Sequence, residues 1–299
     1  MKGNTQDLTK GSIVKAIILF SIPLLIGNLF QQLYNAVDSY VVGNYVGKVA
    51  LAAVGASTPI INMLIGFFMG ISTGAGVVIA QFFGAGNTCK MKRAIHNSIA
   101  LTLVMGVVLT IVGLLFNDPI LKAIGVPSEV FSEASTYLSI YFWSLIFVMV
   151  YNMGSGILRS VGDSKRPLYF LIFSSVLNII LDYVLIKFTQ MGVKGAAVAT
   201  VLAQLLSVIL CFVVILKNFK IIRLKKNDFH FSASLFKNMM STGMAMAVMN
   251  SIFSIGSIIM QGSINALGED IIAAHLGSRK VAEMFMQTLV TIGTACSTF

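Results

Sequence analysis

Residues 167–186 read PLYFLIFSSVLNIILDYVLI, twenty positions that hold one charged side chain, Asp182. An α-helix needs about 20 apolar residues to cross a bilayer, so the segment reads as a membrane span with a carboxylate inside it. Asn178 precedes Asp182 by four positions, which puts the amide and the carboxylate on one face of a helix. An ionisable group at that depth is expensive unless a proton, a cation or a partner offsets its charge.

Working outward, the same punctuation recurs. Charged residues make up only 11% of the 299 positions and hydrophobic residues 57%, well outside the usage of soluble domains. Uncharged gaps run over 16–37, 49–89, 94–117, 134–158, 195–216 and 238–268, and each is long enough to cross a membrane. An eighth apolar segment begins near Ile271 and continues to Phe299, so seven complete spans and one partial span are expected. The runs lack the alternation of apolar and polar residues that barrel strands show. The expected fold class is therefore an all-α polytopic membrane protein. Glycines four apart, as in Gly66, Gly70 and Gly74, suit helices that approach closely.

The net charge of +10 is a topology signal rather than a nucleic-acid patch, because the basic residues alternate sides along the chain. Fifteen fall on one side, in the groups 2–15, 90–93, 159–166 and 217–237, whereas Lys48, Lys122, Lys187 and Lys194 fall on the other. The positive-inside rule makes the richer side, and with it the N-terminus, cytoplasmic. No nucleic-acid partner is expected; membrane lipids are. The three cysteines, Cys89, Cys211 and Cys296, imply no disulfide framework.

The longest polar connection, 217–237, carries six basic residues and divides the chain into 1–216, with six spans, and 238–299. A shift of 221 residues lays 46–57 (VGKVALAAVGAS) over 267–278 (LGEDIIAAHLGS), so that Gly47, Ala52, Ala53 and Ser57 meet Gly268, Ala273, Ala274 and Ser278. A six-helix unit repeated in parallel topology explains that register. The expectation is a protein of about twelve spans, of which this chain holds the first lobe, the first helix of the second and part of the next.

Depth sorts the polar residues further. With Lys187 at the outer end of its span, Asp182 lies about 7 to 8 Å below it at 1.5 Å per residue. Asp38 precedes Lys48 on another outward-running span, and Thr200 lies six residues into an inward-running one. Asp38, Asn178, Asp182 and Thr200 are thus expected in one outer layer, an oxygen-rich set suited to a proton or to a hard cation such as Na⁺. The alternatives are ordinary ones: either aspartate could reach the headgroups, and Thr200 could bond its own helix backbone.

These residues and their order resemble the multidrug and toxin extrusion (MATE) transporters, on FSIPLLIGNLFQQLYNAVDSYVVG at 20–43, AQFFGAG at 80–86, LRSVGDSKRP at 158–167, LNIILDYVLI at 177–186 and GVKGAAVAT at 192–200. The resemblance implies twelve helices in two six-helix lobes and a monomeric antiporter of the cytoplasmic membrane. Its substrates would be organic cations or other small-molecule drugs, exported against inward H⁺ or Na⁺, with no other cofactor. In the DinF-like kind, an N-lobe cation site uses positions that match Asp38, Asn178, Asp182 and Thr200 here. NorM-like relatives carry an acidic residue in the seventh helix, and 238–268 has none. Asn152, Tyr34 and Met63 are candidate cavity-lining residues, although ordinary helix packing accounts for each as well.

Enzyme readings fail on context. Gly70-Ile71-Ser72-Thr73-Gly74 fits the nucleophile-elbow pattern but sits inside an apolar helix, where no strand-to-helix turn can form. His96, His230 and His275 lack metal-ligand spacing. A lipid-linked precursor flippase of the wider superfamily is the alternative transporter reading. It calls for a basic cavity, and the first six spans are expected to bury no Lys or Arg.

Overall fold

The computed structural model describes residues 13–126, 128–189, 191–218 and 232–265, together with ten positions between 282 and 296. Seven long helices account for nearly all of it: α1 (Ile13–Tyr45), α2 (Lys48–Gly84), α3 (Thr88–Ala123), α4 (Ser128–Ser160), α5 (Lys165–Lys187), α6 (Val193–Asn218) and α7 (Ala233–Asn265). All seven contain segments long and apolar enough to cross a membrane. Short links join α1 through α6, so consecutive helices must run antiparallel. Lys90, Lys92, Arg93, Lys165, Arg166 and Lys217 then share one end of the bundle, called here the basic face.

The apolar pattern is turned outward as a bilayer requires. On α3, Val104, Val108, Ile111 and Leu115 recur at helical spacing and are exposed, Leu115 by 70%, while the buried side of the same helix carries Asn97, Ser98, Thr102 and Thr110. Hydrocarbon offers no advantage to burying leucine, so small and polar residues take the interhelical contacts. Thr110 donates to the Phe142 carbonyl at 3.0 Å and Ser160 to the Gly76 carbonyl at 2.9 Å, tying α3 and α2 to α4.

Most of the helices are longer than the uncharged windows, because interfacial Lys, Arg and Asp can sit in the last turns of a helix and reach the headgroups. α1, for example, spans Ile13–Tyr45 against the window 16–37. The connection expected over 217–237 is helical at both described edges, as Lys217 closes α6 and Lys237 lies in the first turns of α7. Residues 219–231 and 266–281 lie outside the described residues, and with them His230, His275 and the repeat partners Gly268, Ala273, Ala274 and Ser278. The described positions from 282 to 296 are helical, in line with an eighth apolar helix.

The tightest contact joins α2 to α7. A methyl group added at Gly70 would lie 2.3 Å from the Ala247 backbone nitrogen, and one at Gly74 would lie 2.3 Å from Gly243 Cα. Farther along the same seam, Asn250 Nδ2 donates to the Gly66 carbonyl at 3.1 Å. Positions 66, 70 and 74 meet 250, 247 and 243, so the two helices are antiparallel. α1 makes a second remote contact, Asn28 Nδ2 donating to Thr291 Oγ1 at 2.8 Å.

At the basic face the turn after α4 is closed by Gly162, whose φ of 83° only glycine adopts without strain. That turn buries Asp163, which accepts from the Arg166 backbone N–H at 3.1 Å and from its guanidinium at 2.8 Å. Arg159 is the basic residue of this turn that reaches partly into the bundle. It is half-buried in the last turn of α4, with Nη2 4.0 Å from where a side chain on Gly156 would begin.

Candidate cation site

Three helices bring the polar set together. α1 supplies Asp38, seven residues before its end at Tyr45; α5 supplies Asp182, five before Lys187; α6 supplies Thr200, seven after its start at Val193. All three positions therefore lie at one level near the face opposite the basic one, about 7 to 11 Å inside the helix ends at 1.5 Å per residue. Asp182 is fully buried, Asn178 and Thr200 are buried, and Asp38 is half-buried.

Asn178 connects the set. In the amide orientation that satisfies both of its ends, Nδ2 donates to Asp182 Oδ2 at 3.1 Å and the side-chain oxygen accepts from the Thr200 backbone N–H at 3.2 Å. The opposite orientation places Nδ2 3.3 Å from Thr200 Oγ1. Thr200 also donates its hydroxyl to the Ala196 carbonyl at 3.2 Å, the local bond that a transmembrane threonine commonly makes.

The Asp38 and Asp182 carboxyl groups lie within hydrogen-bonding reach of each other. Two carboxyls make such a contact only with a proton between them, or with a cation in its place. Asp38 Oδ1 and Asp182 Oδ1 are both buried without a hydrogen-bond partner, so each keeps lone pairs for a ligand. Among the described residues no group of three His, Cys, Asp or Glu side chains comes together as a transition-metal site. The donor set here is oxygen throughout: two carboxylates, an amide and a hydroxyl, which suits a proton or Na⁺.

A small cavity, with about 20 Å³ open to water-sized molecules, adjoins the set, lined in part by Tyr34, Asn178 and Thr200. Of the three candidate lining residues, Tyr34 faces it; Asn152 donates to the Val148 carbonyl of its own helix at 2.9 Å, and Met63 is half-buried on α2. Neither of those two contributes to the lining. The cavity adds Gln31, Ser174, Ser175 and Gln204, which reading the sequence missed. Ser174, Asn178 and Asp182 do repeat every four residues on α5, as do Thr200 and Gln204 on α6, but that spacing does not say which neighbouring helix each one faces.

The family model described as MatE matches residues 23–184 of this chain. The probable multidrug resistance protein YoeA of Bacillus subtilis is 30% identical over 302 residues, covering 99% of this chain and 65% of that protein. The chain thus spans a little less than two thirds of that relative's length. One solved structure, described as the outward-facing conformation of a multidrug resistance MATE family transporter of the MOP superfamily, superposes with a TM-score of 0.90 at 28% identity, over 99% of this chain and 67% of that one. A MOP superfamily transporter from Pyrococcus furiosus, described as having a binding pocket of reversed polarity that suggests a different function, gives 0.87 at 27% identity, over 99% and 66%.

Proposed function

Because the chain belongs to the MatE family, we propose that it serves a secondary active antiporter of the cytoplasmic membrane that exports organic cations or other drugs against inward movement of H⁺ or Na⁺. The observation that carries this reading is the pair Asp38 and Asp182, each with a buried, unsatisfied oxygen, with Asp182 joined through Asn178 to Thr200. α1 to α6 form the lobe that holds the coupling ion, and α7 opens a second lobe. The basic face is cytoplasmic, so the carboxylates load from outside.

The chemistry follows from charge. Loading a cation or proton offsets one of the pair's two negative charges, which lowers the cost of holding them together and favours the conformation in which they stay enclosed. Export requires only that ion and drug prefer opposite conformations, because their coupling is then reciprocal whether or not they share atoms. Asn178 positions Asp182, and Thr200 contributes a neutral oxygen. The relatives' names support drugs as the cargo. The flippase alternative calls for a basic cavity, whereas the lining of the cavity beside Asn178 is uncharged and Arg159 sits at the opposite end of the bundle.

The test is transport in proteoliposomes that contain the full chain, with a fluorescent organic cation as cargo. An imposed Na⁺ or pH gradient should drive the cargo uphill. Movement that follows only the cargo's own gradient would make the protein a passive pathway.

A further inference from the structure

The carboxylates and the cavity are neighbouring places, not one place. Asn178 and Thr200 line the cavity, but Asp38 and Asp182 do not. On α1, Gln31 and Tyr34 precede Asp38; on α5, Ser174 and Ser175 precede Asp182; on the antiparallel α6, Gln204 follows Thr200. Every displacement points toward the basic face, by about 5 to 12 Å at 1.5 Å per residue. The cavity therefore lies one to two helical turns below the carboxylates, with Asn178 in the partition.

Its walls carry no charge, being three amides, a phenol and three hydroxyls with Leu171 and Ala203 between them. Gln204 Oε1 is buried without a hydrogen-bond partner, an arrangement that calls for a water or a cation. The space open to water-sized molecules is about 20 Å³, far below that of pockets that enclose drugs, about 300 to 1,000 Å³. By that measure one water needs about 10 to 15 Å³, so the cavity holds one or two waters or a single small ion.

We propose that this chamber, with Gln31 and Gln204 as its principal oxygen donors, is a second, hydrated station through which the coupling cation passes between the carboxylate pair and the basic face. The inference rests on the antiporter reading. A cation held by two carboxylates leaves slowly unless a neighbouring site offers oxygens without charge. Conduction through proteins uses such steps, sites that bind well enough to be entered and weakly enough to be left. Asn178 touches both compartments, so its side chain can stay with the cation as the cation crosses.

Gln31→Leu and Gln204→Leu test this in the full chain, with Na⁺ affinity measured by calorimetry and gradient-driven export measured in proteoliposomes. The expected result is Na⁺ affinity within about twofold of wild type and turnover lowered about tenfold, from the loss of oxygen contacts. Gln204→Glu should tighten Na⁺ binding and also slow turnover, because the cation is then retained. Unchanged turnover in both leucine variants would overturn the second station. Na⁺ affinity and turnover falling together would also overturn it, by making the chamber part of the carboxylate site. Ser175→Ala, a much smaller change, should lower turnover in the same direction and covers the case in which a leucine variant fails to fold. Wild type in the same vesicles separates the two levels: absence of gradient-driven export there refutes the antiporter, whereas wild-type export matched by the variants refutes only the station.

Discussion

Asp38 on α1 and Asp182 on α5 bring their carboxyl groups within hydrogen-bonding reach of each other, each with one buried oxygen that has no hydrogen-bond partner. Two groups that share one ligand act as a unit. Export should therefore be lost about equally in Asp38→Asn and in Asp182→Asn, and the double variant should be little worse than the worse single variant. Independent sites would give additive losses in transport free energy. Initial export rates for the three variants decide between these outcomes.

Competition between proton and cation sets the direction of the pH response. Both need the same two carboxyls, so Na⁺ binding should weaken as pH falls, over a range that belongs to the pair rather than to one residue. Either single Asn variant should change the shape of that profile. Calorimetric Na⁺ titrations across pH check this, and a profile unaltered in Asp38→Asn would return Asp38 to an interfacial role.

Asp182→Asn keeps volume and can still bond to Asn178, so the protein should insert and fold while drug export disappears. Thermal unfolding in detergent is expected to stay close to wild type, or to rise, since a buried carboxyl is replaced by a neutral amide. Export at the wild-type rate would remove Asp182 from the mechanism.

The spans and their order were legible because charge in an apolar chain is sparse, and Asn178 with Asp182 was legible from i, i+4 spacing. The chamber was not. Gln31, Ser174 and Gln204 look like ordinary helix polar residues until α1, α5 and α6 are assembled, because a glutamine's spacing does not say which neighbour it faces. The glycines Gly66, Gly70 and Gly74 signalled close approach, but not that α7 is the helix approached.

Substitutions along α2 should differ in sign. Gly70→Ala and Gly74→Ala place a methyl against α7 backbone and should destabilise by about 1 to 3 kcal/mol. Gly55→Ala, on the same helix with open space around it, should be neutral or stabilising by about 0.5 to 1 kcal/mol through helix propensity. Detergent melting curves of the three variants test this. Equal effects at all three positions would contradict the close seam.

Orientation has a direct check. With the native cysteines replaced, a cysteine at Lys122 or Lys194 should react with an impermeant thiol reagent added outside intact cells, and one at Lys92 or Lys165 should not. Restoring the exposed Cys89 near the basic face provides an internal control that should stay unlabelled. The reverse pattern would invert the topology.

The remote contacts of α1 and α2 carry a last implication. Under the 221-residue shift Asn28 maps onto Met249 and Gly70 onto Thr291, so the Asn28–Thr291 bond has a counterpart within two residues of the observed Gly70–Ala247 approach. A surface that meets its own copy with the roles exchanged is isologous, the arrangement found in two-fold dimers. The two halves of this interface are then one solution used twice. Duplication of an ancestral self-pairing protein, followed by fusion, would create both contacts at once, and a change in either copy would weaken only one side of the join, opening the way to asymmetry between them.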